Sequence, residues 1–433
     1  MNWVFKSTLL FSGFPIKDAK IEFDAKLPIS NTQFAESIFK FHRDKNNFYK
    51  SFLKEKDFFQ FQNWGEIPII TKKDFQINID EILTGGLKKS ELHIHNTSGS
   101  TGTPFYFAKD KFCHALNWAE IDYHLLKHGI NIGSSKQARF YGIPLSGIKY
   151  YKERLKDFLA NRVRFPVFDL SDEKLAAVLS EFRKNKFEYV NGYTSSLVIF
   201  AKFLIERNIV LKDVCPSIKV VFPTSEVVDD IDRKTMERGF GVSVRNEYGA
   251  AELDILAFED EEGDFVLNEE TLFIEILDDK NQPVEAGIEG KVIVTSLYNK
   301  AMPFIRYEVG DRAVLTGKLK NGNRVLERVV GRTNDIIKLP SGKISPGLTF
   351  YYISKKLLES GGRIKEFIII QKTIDTFLFK YVANEELSDF EKFEIQKAMD
   401  LYLESGLICE FAKCDFIERT KAGKLKHFFS KIN

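Results

Sequence analysis

From position 137 to position 246 the chain repeats one pattern: a short apolar run, an amphipathic stretch at helical spacing, then another apolar run. Strands with apolar residues interspersed are expected at 137–142, 187–190, 217–222 and 242–246. Helical spacing occupies 176–183, the stretch from the cap Tyr193-Thr-Ser-Ser196 to Asn208, and 232–238. Buried strands alternating with helices predict an α/β layer with a largely parallel sheet, because each crossover helix covers the sheet face. In such sheets ligands gather at the loops after the C-terminal ends of the strands.

The chain of 433 residues exceeds one compact core, and its pattern changes on both sides of this layer. Upstream, Phe34, Ile38, Phe41, Phe48 and Phe52 recur at helical spacing after the caps Asn31 and Thr32, which predicts one amphipathic helix. Thr71, with Asp74 three residues on, reads as the cap of another. A longer helix is expected over 110–128, with Phe112, Leu116, Ala119, Tyr123 and Leu126 on one face and Gly129 ending it. Downstream, 272–277, 290–296, 312–315 and 324–330 alternate in polarity, which predicts antiparallel strands. Past Gly331 comes helix 348–360, strands 364–371 and 376–382, helix 389–403 and strand 408–417, a small α+β domain.

Composition excludes several classes. Lys plus Arg is 63 against 61 for Asp plus Glu, too balanced for a nucleic-acid binder driven by phosphate charge. The four cysteines form no C-x-x-C, which points to reduced thiols in a cytoplasmic protein. No run of 18 apolar residues predicts a membrane span, and the first 15 residues lack a signal-peptide core.

The stretch Asn96-Thr-Ser-Gly-Ser-Thr-Gly-Thr-Pro104 suits neither a helix nor a strand interior. Gly permits positive φ, Ser and Thr bond locally to backbone, and Pro lacks a donor. It offers amide and hydroxyl donors without a carboxylate, a lining suited to phosphate oxygens, though a plain polar linker has the same composition. The glycine spacing and the missing Lys exclude a Walker loop. The strand before it carries His93 and His95, with no third ligand in reach for a metal.

Five further motifs follow: Phe222-Pro-Thr-Ser-Glu226, Asn246-Glu-Tyr-Gly-Ala-Ala-Glu252, Pro303-Phe-Ile-Arg-Tyr-Glu-Val-Gly-Asp311, Gly331-Arg-Thr-Asn-Asp335 and Arg419-Thr-Lys-Ala-Gly-Lys424. Alone, Tyr248 reads as core, Glu252 as a paired or solvated carboxylate and Lys424 as one of several surface lysines. Together and in this order they resemble the adenylate-forming superfamily of acyl-CoA synthetases, nearest its branch of phenylacetate–CoA ligases, coenzyme F390 synthetases and CapK-like proteins. The resemblance implies an α/β fold with a large multi-sheet N-terminal adenylation domain, 1–335, and a small mobile α+β domain, 336–433.

It also implies roles. Thr97, Ser98, Gly99, Ser100, Thr101, Gly102 and Thr103 would hold the ATP phosphates. Ser225, Glu226, Asn246, Glu247, Tyr248 and Gly249 would face the adenine. Asp311 would accept the ribose hydroxyls, since an ionised carboxylate has two acceptor oxygens. Arg332 would reach the ribose or α-phosphate, Glu252 would hold Mg²⁺, and Lys424 would be the catalytic lysine. Tyr141, Gly142, Ser146, Phe222, Ala250 and Ala251 would line an aryl or arylacetic acid pocket. Ser341-Gly-Lys-Ile-Ser-Pro346 resembles the glycine loop beside the thiol path. Many superfamily members carry Lys after the loop proline; here Phe105 stands there, and since the phenylacetate branch also lacks that Lys, the departure narrows the resemblance to that branch. Arg306 reads as a structural ion-pair residue. The expected cofactors are ATP, Mg²⁺ and coenzyme A, with a homodimer and an acyl-carrier partner as further expectations. Transfer to a carrier thiol or an amine stays open, as does a nucleotide-binding protein without turnover.

Overall fold

The computed structural model describes residues 1–25, 31–97, 105–142, 147–226, 228, 230–330, 336–346, 349–350, 353, 364–417 and 428–432. Among these, contacts group 1–97, 105–132 and 245–330 into one unit, and 133–244 with 336–432 into a second. The expected hinge at Asp335 lies outside the described residues, as does most of the helix expected over 348–360.

The first unit is built on an eight-stranded sheet. Its order is Leu272–Leu277, Glu289–Ser296, Tyr307–Lys320, Asn323–Val330, Phe265–Leu267, Asp254–Glu259 and Glu247–Ala250, with Ile70–Thr71 added beside Tyr307–Lys320. The long strands pair antiparallel, as their alternating polarity predicts, and only Ile70–Thr71 joins parallel. Four inter-strand steps separate Tyr307–Lys320 from Glu247–Ala250 along this order. In a flat sheet that is about 19 Å. Side chains of the two strands nevertheless touch, so the sheet curls on itself around a core of Phe75, Phe105, Phe304 and Tyr307.

The single upstream helix expected from the phenylalanines is two helices, Asn31–Lys45 and Asn47–Glu55. Asn46 breaks it, because its side chain accepts from the Tyr49 N–H and caps the second helix. Thr71 and Asp74 do bond each other, with the Thr71 N–H at 2.7 Å, but they close a turn; the next helix is only Ile79–Ile82. The longer helix is Lys111–Lys127, capped by Asp110. Leu126 is exposed and Leu125 buried, so the buried face lies one position from the one expected there.

Near Asn46, His42 is fully buried, with Nε2 2.8 Å from the Asn299 carbonyl. Burial lowers its pKa to about 4, and the carbonyl contact only partly opposes this. His124 is likewise lowered to about 3 by burial. Below the ordinary value of 6.5 the unfolded chain takes up protons that these native imidazoles refuse. Stability must therefore fall as pH drops from about 6.5 towards 4, by on the order of 1–2 kcal/mol per histidine at pH 5. Thermal unfolding scanned from pH 7.5 to 5 should show this decline, with a shallower slope in His42→Gln. An unchanged slope in that variant would exclude His42 as a source.

In the second unit a five-stranded sheet runs in the order Arg162–Phe165, Gln137–Phe140, Tyr189–Tyr193, Val220–Thr224 and Ser243–Val244. All pairings are parallel, as expected. The edge strand and the helix Gly147–Leu159 before it were not legible as elements. Their polarity is inverted: the helix exposes Ile148, Tyr151, Leu155 and Phe158, and buries Asp157 against Arg162 and Arg164.

The same unit carries a four-stranded sheet ordered Ile408–Lys413, Thr376–Ala383, Ile364–Gln371 and Phe428–Ser430, with the helix Asp389–Tyr402. Strand Thr376–Ala383 alternates buried and half-buried residues throughout, as period-2 patterning requires. Ser388 and Glu391 form a capping box that starts the helix. The final strand, which no sequence pattern marked, pairs parallel with Ile364–Gln371.

Candidate active site

Two tyrosine–carboxylate pairs define the candidate site in the first unit. The Tyr248 hydroxyl donates to Asp311 Oδ2 at 3.2 Å, and the Tyr307 hydroxyl donates to Glu252 Oε1 at 2.9 Å. Burial raises both tyrosine pKa values well above the ordinary one; Asp311 raises Tyr248 further and Glu252 raises Tyr307 further. Both phenols therefore stay protonated at neutral pH and act as donors. Each carboxylate keeps acceptor capacity beyond its tyrosine, because an ionised carboxylate offers about four lone-pair directions.

Local backbone explains how the Y-G-x-x-E spacing yields this. Glu247–Ala250 turns tightly into Asp254–Glu259, closed by the Leu253 N–H donating to the Ala250 carbonyl at 2.9 Å. A Cβ on Gly249 would stand 2.7 Å from the Asp254 carbonyl, so only glycine lets the two strands approach. Asp254 itself adopts φ 65, and Lys109 secures that turn. The Lys109 ammonium, 2 % exposed, lies 2.5 Å from Asp254 Oδ1 and donates to the Ala251 carbonyl at 3.1 Å. Lys109 and Tyr307 are positioning residues that motif reading did not assign. The only sequence signal for Lys109 was a cation on the inward register of an apolar strand.

Among the described residues no cluster of three or more His, Cys, Asp or Glu could hold a metal by itself. Glu252 still fits Mg²⁺, which is commonly held by one or two carboxylates together with substrate phosphates and water. Its side chain is buried, and one oxygen is oriented by Tyr307.

Other predicted residues fall as follows. Thr97 ends the strand Leu92–Thr97, opposite Phe105, so the strand runs two residues past the expected end at His95. Phe105 is buried against Phe75 and Phe304, a core role that a lysine there could not take. The Asn246 N–H donates to Glu259 Oε2 at 2.9 Å. Glu247 lies on the strand with Tyr248, and Ala250 and Ala251 flank the turn. Arg306 is the ion-pair residue expected, bound to Glu275 at 3.1 Å.

In the second unit Phe222 is buried on Val220–Thr224, and Ser225 follows with φ 71. The Glu226 carboxylate accepts from the Ser195 N–H at 2.7 Å, at the start of helix Thr194–Glu206. Tyr141 and Gly142 follow the strand Gln137–Phe140, and the Tyr141 and Tyr193 rings lie 4.6 Å apart. Residues 341–346 lie in a hairpin of Ile336–Lys338 with Ile344–Pro346, tied by Ser341 to Glu404. Ser98, Gly99, Ser100, Thr101, Gly102, Thr103, Ser146, Arg332 and Lys424 lie outside the described residues.

No family model matches the chain. It is 26% identical over 320 residues to the protein CapK of Staphylococcus aureus, covering 72% of this chain and 68% of CapK. It is 24% identical over 303 residues to the phenylacetate–coenzyme A ligase of Escherichia coli K12, covering 67% and 66%. The match thus spans about two thirds of each relative's length. A solved 2-hydroxyisobutyryl-CoA ligase, in complex with 2-HIB-AMP and CoA, superposes with TM-score 0.59 at 18% identity, covering 93% of this chain and 89% of that one. No described helix is long and apolar enough to cross a membrane. The chain is therefore a homologue of CapK and the phenylacetate–coenzyme A ligases, with the fold of the adenylate-forming superfamily.

Proposed function

We propose that the protein is an AMP-forming acid–thiol ligase: it activates a carboxylic acid with ATP to an acyl-AMP, releasing pyrophosphate, and passes the acyl group to the thiol of coenzyme A. The observation that carries this is the pair of oriented carboxylates, Asp311 held by Tyr248 and Glu252 held by Tyr307, at the positions where the superfamily motifs put nucleotide and metal contacts. An acid cannot be attacked by a thiol at neutral pH because oxide is a poor leaving group; adenylation replaces it with AMP. The acid and ATP are both anions, so their approach needs positive charge. Arg332 and Lys424 supply it, and the 98–103 loop receives the departing pyrophosphate on its amides. Mg²⁺, when held at Glu252, would neutralise phosphate charge.

The acyl-AMP is a reactive mixed anhydride and must be kept from water. A hinge at Asp335 would let the domain 336–433 deliver Lys424 for adenylation and then withdraw it for thioester formation. Tyr141, Gly142 and Phe222 are aromatic or small, and suit an aryl or arylacetic acid.

Acid-dependent ATP–pyrophosphate exchange across a panel of aryl and alkyl acids tests the reading. Exchange should appear with at least one acid, and product analysis with coenzyme A, amines and carrier protein should show the coenzyme A thioester. Asp311→Asn should keep the Tyr248 hydrogen bond, since the amide oxygen still accepts, yet raise KM for ATP roughly 10-fold or more through the lost charge-assisted bonds. An unchanged KM would remove Asp311 from nucleotide binding.

A further inference from the structure

The five-stranded parallel sheet turns Ala138, Phe140, Val190 and Val221 into its helix-covered core. Residues of opposite parity stand on the other face. There Arg139 pairs in register with Arg164 on one neighbouring strand and Asn191 on the other. The face carries three arginines, and two of them consume the local carboxylates. Arg162 Nε lies 2.5 Å from Asp157, and Arg164 lies 2.8 Å from Asp157 and 2.9 Å from Glu153.

Arg139 has no such partner. Among the described residues no carboxylate pairs with it, and its Nε is enclosed without a hydrogen-bond partner. Its guanidinium carbon stands 4.2 Å from the Tyr141 ring centre, and Tyr141 is itself packed on Tyr193. A guanidinium does not shed its proton. Stacking on a tyrosine recovers only part of what taking an ion out of water costs. A cation with aromatic walls and no counter-ion among the described residues is suited to receive an anion.

The strand sets where that anion lies. Arg139 precedes Tyr141 by two residues, roughly 7 Å further from the strand's C-terminal end. A carboxylate reacting at the strand ends would not sit at that depth, but the far end of the same molecule could. Building on the adenylation reading, we propose that Arg139 forms a subsite for a second carboxylate of the acid, so that the substrate is a dicarboxylic acid with its two carboxylates about 7 Å apart.

ATP–pyrophosphate exchange with matched acids tests this: 4-carboxyphenylacetate against 4-carbamoylphenylacetate and 4-methylphenylacetate, and adipate against hexanoate. The wild-type enzyme should favour each dicarboxylate over its uncharged counterpart by about 30-fold or more in kcat/KM, the cost of leaving a half-buried charge with an enclosed Nε unpaired. Arg139→Met should collapse that ratio, and Arg139→Lys should restore part of it. Wild-type preference for the uncharged acids overturns the proposal, and this comparison stands even if Arg139→Met does not fold. A dicarboxylate preference that survives Arg139→Met overturns it as well. Exchange with none of the acids, in these sets or in the wider panel, removes the adenylation reading and this inference together, whereas exchange with monocarboxylic acids alone removes only the inference.

Discussion

Replacing Lys424 with alanine should lower acid-dependent ATP–pyrophosphate exchange by about 10²–10³-fold, the scale on which removal of one charge-stabilising donor acts. Thioester formation from supplied acyl-AMP should fall by less than about 10-fold, since that step no longer brings two anions together. Lys424 lies outside the described residues, but the chain just after it is anchored: Phe428 is fully buried and pairs with Ile369 on an inner strand of the small sheet. The neighbours Lys421 and Lys426 provide the control, because a role for position 424 predicts that alanine at either costs far less. Equal loss of both half-reactions in Lys424→Ala, or a larger loss in Lys421→Ala, would end the assignment.

Arg306→Met should be the most destabilising single change in the first unit. The Arg306 side chain is buried, its Nε 3.1 Å from Glu275, and its Nη1 donates to the carbonyls of Gly65 at 2.5 Å and Ile67 at 2.8 Å. Methionine fills the volume but strands the Glu275 carboxylate, left with the Trp64 indole N–H at 3.0 Å, and takes the Arg306 donor from the buried Ile67 carbonyl and from the Gly65 carbonyl. Breaking one partner of a buried pair costs about 3–5 kcal/mol, because the survivor stays charged and dry. For a unit of this size that corresponds to roughly 10 °C in Tm. Arg306→Met combined with Glu275→Gln should lose less than the two single changes added together. Differential scanning calorimetry reads both outcomes, and a shift below 1 °C in Arg306→Met would show that the pair contributes nothing. Because Tyr307 follows Arg306, this variant should also lose exchange activity as the Glu252 contact loosens.

Much of the parallel sheet was legible because its strands are short apolar runs and its helices are amphipathic, and both signals are local. The helix Gly147–Leu159 was not, since it exposes its apolar stripe and buries Asp157, a choice made by Arg162 and Arg164 on the following strand. Arg139 was hidden for the same reason. An arginine in a strand becomes informative only when the surrounding carboxylates are seen to be taken. The structural reading of Arg306 agrees with its buried ion pair to Glu275. The split of the upstream helix at Asn46 escaped because a capping asparagine inside a continuous 3.6-residue period leaves that period intact.

By itself the chain of residues determined the layer type, the antiparallel second sheet and the order of the motifs, all of which depend on neighbours a few positions apart. Only the tertiary structure decided which hydroxyl serves which carboxylate. Tyr248 reaches Asp311 across 63 positions, and Tyr307 reaches Glu252 across 55. Those pairings follow from strand register and from the curl that brings distant strands into contact. The free energy for both comes from burying a shared core, a quantity that no short window of sequence contains.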